Sequence, residues 1–349
     1  MKELKQVLGV DVAQKELVVT LGRMYDDSSI ELFAHKVFRN TDAGFKALSE
    51  WVGKLSNDKV PVRFVMEATG VYHQKFAYYL DEKGSEVSIV LPNKISNYMR
   101  TLDNKTITDK TCSEAIAQFG LERKLDRWSR PNKIYKNLQQ LTRERDQIVA
   151  QRAMAKNQQH AEQAEAEPNE NSLNRIKARI KFLNGQEKEI KQDIENWISK
   201  DPILQNEINN ICTIPGIGRL TAVIILAETN GFELIRNKKQ LVSYAGLDIR
   251  EKQSGTSVKG KPRISKKGNR HLRKAMHLPA LTAVRWNDNY KNIYARHVSK
   301  HGVKMKALVA VQRKLLEMVY IIFKNKCVYD KDHEHKINEQ KNSVHTQMA

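Results

Sequence analysis

The apolar positions change period along the chain. In the first 130 residues, short apolar runs of strand length alternate with stretches of helical spacing. Residues 6–12, 16–21 and 30–39 read as three strands joined by short turns, the clearest being Asp26-Asp27-Ser28-Ser29. A helix is expected over 41–56, capped by Thr41 or Asp42. A short buried strand follows at 63–66, a helix at 72–83 stopped by Gly84, and a strand at 87–90. Pro92 then opens a further helix at its first position, where the missing N–H costs nothing.

From 131 to 199 the pattern changes to Lys, Arg, Glu and Gln, with Leu138, Leu141, Ile148, Ile176, Ile180, Leu183, Ile190 and Ile194 at helical spacing. The polar centre at 160–172 contains Pro168-Asn169, so two long helices forming an antiparallel coiled-coil hairpin are expected. Pattern and charge leave open whether it is a spacer, a dimerisation arm or a nucleic-acid clamp. A mostly α unit is expected over 200–328, and a disordered polar tail over 329–349. For 1–130, a run of three strands followed by strands alternating with helices predicts an α/β domain with an RNase H-like mixed sheet.

Charge narrows the partner. The chain of 349 residues carries 60 Lys and Arg against 40 Asp and Glu, a net charge of +20. That excess points to a polyanion, with salt-dependent binding. No apolar run reaches the roughly 18 residues that span a bilayer and no signal peptide is read, so a membrane is set aside. Cys112, Cys212 and Cys327 are scattered, make neither a disulfide framework nor a zinc pattern, and suit a reducing cytosol. A cytoplasmic, bacterial, nucleoid-associated protein is expected.

Three acids carry the candidate chemistry. Asp11 ends the apolar run Val7-Leu8-Gly9-Val10, Glu67 ends Phe64-Val65-Met66, and Asp109 opens a helical pattern. A carboxylate at the end of a buried strand usually has a cation or donor beside it, because its desolvation is costly. Three of them at element ends suggest one Mg²⁺ site acting on phosphodiesters. Further on, Ile214-Pro215-Gly216-Ile217-Gly218-Arg219 ahead of an apolar helical run has the form of a helix-hairpin-helix. There Gly216 and Gly218 would free backbone N–H groups for a phosphate; a tight packing turn is the plainer alternative. Residues 259–274 hold eight Lys or Arg and no acid: Lys259, Lys261, Arg263, Lys266, Lys267, Arg270, Arg273 and Lys274. Just upstream lies Gln253-Ser254-Gly255-Thr256-Ser257, short and flexible. Composition does not choose a nucleophile among Ser254, Ser257, Thr256 and Ser243. Cys327, His333 and His335 are too poorly spaced for a metal site, and Trp51, Trp128, Trp197 and Trp286 are expected as core or hairpin anchors.

Taken in order, these motifs resemble the DEDD-type insertion-sequence transposases, relatives of the Piv DNA invertase. The resemblance spans residues 5–325. It rests on Gly9-Val10-Asp11-Val12-Ala13, Met66-Glu67-Ala68-Thr69-Gly70, Thr108-Asp109-Lys110, Ile214-Pro215-Gly216-Ile217-Gly218 and the segment 265–273. It implies a RuvC-like domain, a coiled-coil arm and a C-terminal transposase domain. It also implies DNA recombination with Mg²⁺, a structured bridge RNA as guide in several members, and action as a homo-oligomer. Ser254-Gly255 matches the family's serine–glycine pair, so by resemblance Ser254 would attack DNA and hold it as a phosphoserine. One position departs: the family's fourth acid, three residues after Asp109, is Cys112 here. A thiol is a poor ligand for a hard cation. Glu114 or Asp103 would have to substitute, or three carboxylates suffice. The alternatives are a RuvC-like metal-dependent nuclease on branched DNA and a catalytically inactive nucleic-acid-binding protein.

Overall fold

Side-chain alternation along the first strand organises the first unit. In the computed structural model, which describes residues 2–330 apart from 69, 103–105, 234, 252, 255–257 and 261, β1 (Glu3–Val12) pairs antiparallel with β2 (Glu16–Tyr25), and β2 with β3 (Ile30–Arg39). Helix α1 (Asp42–Leu55) is capped by Thr41, whose hydroxyl accepts from the Gly44 N–H at 3.3 Å. Then follow β4 (Val62–Glu67), α2 (His73–Glu82), β5 (Glu86–Val90), α3 (Pro92–Met99) and α4 (Asp109–Glu122). β4 lies parallel to β1, and β5 parallel to β4. The strand order β3-β2-β1-β4-β5, a meander extended by parallel crossovers, is that of an RNase H-like sheet.

The two faces have separate cores. Leu8, Val10 and Val12 of β1, with Phe64 and Met66 of β4, pack under α1 and α2 against Phe45, Leu48, Phe76 and Leu80. The alternate residues Val7 and Val65 face the other way, onto Ile95, Ile116 and Leu121 of α3 and α4. Because side chains alternate with period two, Gly9 and Asp11 share the α4 face with Val7, and Glu67 shares it with Val65. Gly9 is required there: a Cβ would lie 2.3 Å from the Ala117 nitrogen and 2.4 Å from the Ser113 carbonyl oxygen. The helix therefore lies directly on the strand. The buried Ser113 hydroxyl is 2.8 Å from that of Thr20 on β2, which holds the helix against the sheet.

The second compact unit begins at residue 131. α5 (Lys133–Gln163) and α6 (Glu170–Ser199) run antiparallel, cross-linked by Arg145–Glu187 at 2.8 Å, Arg152–Glu187 and Arg152–Asn184 at 2.9 Å. Burial would push the Glu187 carboxyl up, but Lys191, Arg152 and Arg145 hold it down to about 2. The remaining elements are α7 (Pro202–Cys212), α8 (Arg219–Thr229), α9 (Lys238–Tyr244), four two-residue strands, and α10 (Arg270–Ala275), α11 (His277–Trp286), α12 (Asp288–His301) and α13 (Lys304–Asn325). The strands are β6 (Ile249–Arg250), β7 (Gln253–Ser254), β8 (Val258–Lys259) and β9 (Arg263–Ile264). The arm expected over 131–199 and the helices after 200 share one core: Leu138, Leu183, Ile190 and Ile198 pack with Leu204, Ile225 and Leu315. Of the tail expected over 329–349, residues 331–349, with His333 and His335, lie outside the described residues.

Candidate active site and nucleic-acid surface

Asp11 is the penultimate residue of β1 and Glu67 the last of β4, on adjacent parallel strands in which Val10 is level with Met66. Asp109 is the first residue of α4, where its charge favours the positive end of the helix. The Thr108 hydroxyl caps that end by accepting from the Thr111 N–H at 3.2 Å. α4 runs back along β1, so Gly120 meets Val7 and Val65, Ser113 and Ala117 meet Gly9, and the start of the helix comes to Asp11. The Asp11 carboxyl is pushed up to about 6, first by burial, then by the charges of Asp109 and Glu67, against a lowering hydrogen bond from the Val12 backbone. The structure thus brings the three acids into mutual electrostatic reach. Among the described residues no three acid, His or Cys side chains are drawn tightly enough to enclose an ion. The donor set nonetheless fits a hard divalent cation: all oxygen, excess negative charge, one carboxyl raised by burial and by its like neighbours.

In the second unit, α7, a turn and α8 form the expected helical hairpin, and its two glycines differ. Gly216 has φ +88°, and a Cβ there would lie 2.5 Å from the Pro279 carbonyl oxygen and 3.0 Å from the Ala283 nitrogen, so it is a packing position against α11. Gly218 caps α8 and has open space around it. Downstream, β6 pairs with β9 and β7 with β8, so the expected flexible segment is an interrupted hairpin with Ser254 beside its tip. Gly255, Thr256 and Ser257 lie outside the described residues, as does Lys261.

Two family models match the chain. One, described as a transposase of the IS116/IS110/IS902 family, covers residues 208–295. The other, a DEDD transposase of the IS110 type, covers residues 8–162 and so contains all three carboxylates. The pilin gene-inverting protein of Moraxella bovis is 26% identical over 84% of this chain and 90% of its own length. The chain belongs to the IS110-type DEDD transposase family. A transposase for insertion sequence element IS1328 of Yersinia enterocolitica is 22% identical over 57% of this chain and 64% of its own length. The structure of T. thermophilus RuvC in complex with Holliday junction substrate aligns with 35% of this chain and 99% of that one, with 9% identity and a TM-score of 0.28. A likeness that slight adds nothing to the strand order described above.

In this transposase Cys112 lies one helical turn after Asp109, and its thiol is pushed up by burial and then by Asp11, Glu67 and Asp109. It therefore stands among the three carboxylates as a neutral group. Glu114, the alternative ligand, instead pairs with Lys110 at 3.8 Å and is not among the charges acting on Asp11; Asp103 lies outside the described residues. Cys112→Asp should lower the midpoint of Mg²⁺-dependent thermal stabilisation several-fold, because a ligand that binds only the folded state raises its stability. It should also lower Tm in chelator. Thermal melts across a Mg²⁺ titration check this, and an unchanged midpoint would remove position 112 from the site.

The basic segment is divided by its packing. Lys266, Lys267 and Arg270 are exposed. Arg273, half-buried, donates from Nη1 to the Ala245 carbonyl at 2.9 Å, a structural tie. Gly268 is a close-approach position, 2.4 Å from the Tyr244 carbonyl oxygen to a would-be Cβ. Asn269 caps α10 and donates at 2.6 Å to Glu228, a buried acid of α8 that Arg143 of α5 also grips at 2.7 and 2.8 Å. Burial would raise the Glu228 carboxyl, but the Arg143 and Asn269 hydrogen bonds outweigh it and hold the pKa low. Sequence reasoning missed Glu228; the signal was a single acid within the apolar run 220–229. Trp286, expected as an anchor, is 73% exposed, whereas Trp128 does stack on Tyr78.

Proposed function

We propose that this transposase cuts and rejoins DNA at the carboxylate site, with Asp11, Glu67 and Asp109 holding Mg²⁺ and Ser254 as the nucleophile. The observation that carries the reading is the gathering of three acids at the ends of β1, β4 and the start of α4, one of them raised to about 6. Bound there, Mg²⁺ would neutralise non-bridging phosphate oxygens and stabilise the departing 3′ oxygen. The Ser254 Oγ forms a bond to phosphorus as the P–O3′ bond breaks, and the serine proton ends on the released 3′ hydroxyl. The ester energy is kept in the phosphoserine, so a 3′ hydroxyl can attack it and reseal the strand without an external energy source.

The exposed Lys266, Lys267 and Arg270, with Arg263 of β9, supply cations for backbone phosphates, joined in the sequence by Lys259 and Lys261, and the open start of α8 at Gly218 offers N–H groups. These contacts carry no base sequence, and in this reading a structured guide RNA supplies it, an assignment resting on the family resemblance and the +20 charge. Joining two DNA sites calls for a homo-oligomer.

Denaturing electrophoresis with labelled DNA, with and without RNA from the flanks of the gene, tests the reading. Wild type should yield a Mg²⁺-dependent protein–DNA adduct that is absent in Ser254→Ala. An adduct that persists in Ser254→Ala would move the nucleophile to Ser257 or Thr256. Cutting without an adduct in either protein favours a metal-dependent nuclease. Binding without cutting, together with Cys112 at the fourth-acid position, favours an inactive copy.

A further inference from the structure

The face of α10 and α11 that turns to solvent has a use in neither the carboxylate site nor the hairpin. Between the two helices Met276 keeps near-helical dihedrals, φ −81° and ψ −8°, so the helical sense continues from Arg270 to Trp286. Arg270, Lys274, Leu278, Leu281 and Arg285 are all exposed and recur every three or four residues, which puts them on one stripe. The opposite side is the packed one: Pro279, Ala280 and Ala283 are buried, and Gly216 rests on Pro279 and Ala283. Leu278 is 71% exposed and Leu281 47%, and at the end of α11, beside the stripe, Trp286 is 73% exposed. The Arg285 guanidinium lies 5.0 Å from the centre of the Trp286 ring, supporting one face of the indole.

Charge decides the kind of partner. From Lys252 to Asn287 the chain holds ten Lys or Arg and no Asp or Glu. Among the described residues, Lys274 is the one cation of the stripe paired with an acid, Asp146 at 3.1 Å, and its side chain remains 64% exposed. A polyanion is indicated, yet duplex DNA presents its phosphates with its base faces already stacked, leaving Leu278 and Trp286 without a match. An unpaired strand offers both phosphate and open base faces, and stacking on an aromatic side chain tolerates any sequence.

We propose that this stripe binds single-stranded DNA, with an unpaired base stacked on Trp286 at its edge, where Arg285 joins the ring to the stripe, and with Arg270 and Lys274 on the phosphates. The proposal rests on the DNA-processing reading above and adds the surface that holds a strand once it is open. Binding of the full chain is measured on a single-stranded DNA carrying 5-iodouracil, on the duplex of the same sequence and on the matching RNA. Trp286→Ala should weaken single-strand binding about tenfold and leave duplex binding unchanged, while Trp286→Phe keeps most of the affinity. Irradiation should place the cross-link on Trp286. Equal loss on single strand and duplex, no loss on either, or a cross-link elsewhere would overturn the site. Tighter binding of the RNA would overturn the assignment to DNA. Failure of wild type to bind any DNA would sink the transposase reading along with the site, whereas wild-type binding with an indifferent Trp286→Ala sinks the site alone.

Discussion

Asp11→Asn should abolish strand cleavage and, in chelator, make the protein more stable. The two effects have one cause. Asn keeps the shape of Asp but removes its charge, and the Asp11 carboxyl is raised from 3.8 to about 6 by burial, Asp109 and Glu67. At neutral pH the folded chain therefore carries an ionised group that the unfolded chain would hold at less cost. That penalty is worth roughly 1–2 kcal/mol after allowing for solvent at a half-buried site. The sign follows from proton linkage: an acid raised on folding destabilises above its folded pKa, and the penalty fades as pH falls through about 6 towards 3.8. In chelator the variant should melt a few degrees above wild type at pH 7.5, and the gap should close by about pH 4.5. Added Mg²⁺ should reverse the order, because wild type gains the ion's binding energy and the variant does not. Losing a group that merely orients a metal ligand costs about 10–100-fold, so losing a ligand should cost more. Melts at several pH values with and without Mg²⁺, beside a cleavage assay, check both halves. A variant that melts below wild type in chelator would mean Asp11 is held by a cationic partner rather than crowded by acids.

The second large effect lies in the other unit, and its asymmetry is the test. Arg143→Ala should destabilise more than Glu228→Ala, although both remove the same pair. The Glu228 side chain is 1% exposed and that of Arg143 42% exposed. Removing Arg143 strands a buried carboxylate, a change that costs about 3–5 kcal/mol, partly relieved here by Asn269. Removing Glu228 leaves a guanidinium that already reaches water, and should cost about 1–2 kcal/mol. The pH profiles should differ in sign. In wild type the depressed Glu228 pKa gives stability that is present above the ordinary carboxylate range and lost as pH falls through the folded value. In Arg143→Ala the same carboxyl is raised by burial, so acidification relieves the penalty and the two proteins converge towards pH 4. Denaturant titrations of the single and double variants give the coupling between the two groups. Equal costs for the two single variants would show that Glu228 is better solvated than its burial implies.

Much of the carboxylate site was legible because period-two alternation is a local property. Val7-Leu8-Gly9-Val10 ending in Asp11, and Phe64-Val65-Met66 ending in Glu67, mark strands with an acid at or next to the last residue, and Thr108-Asp109 marks a helix start. The coiled-coil hairpin was legible for the same kind of reason, from apolar residues at helical spacing on both sides of Pro168-Asn169. The first unit's strand order is likewise implied by a meander followed by crossovers.

Tertiary structure decided which residue of a motif touches what. Gly9 reads as one more small residue in a strand, and only the approach of Ser113 and Ala117 shows why no side chain fits there. Gly216 and Gly218 look alike in sequence, yet one is closed by α11 and the other faces open space. Arg270 and Arg273 belong to one basic run, but Arg273 is turned inward to the Ala245 carbonyl. Glu228 and Arg143 lie 85 positions apart, and Trp286 has the composition of a core residue but the exposure of a surface one. The physical reason is common to all of these. Spacing along the chain determines which side chains share a face, because helix and strand geometry repeat locally. What covers that face, and therefore whether a charge is paired, a glycine is obligatory or an aromatic ring is free, depends on elements that only the folded chain brings together.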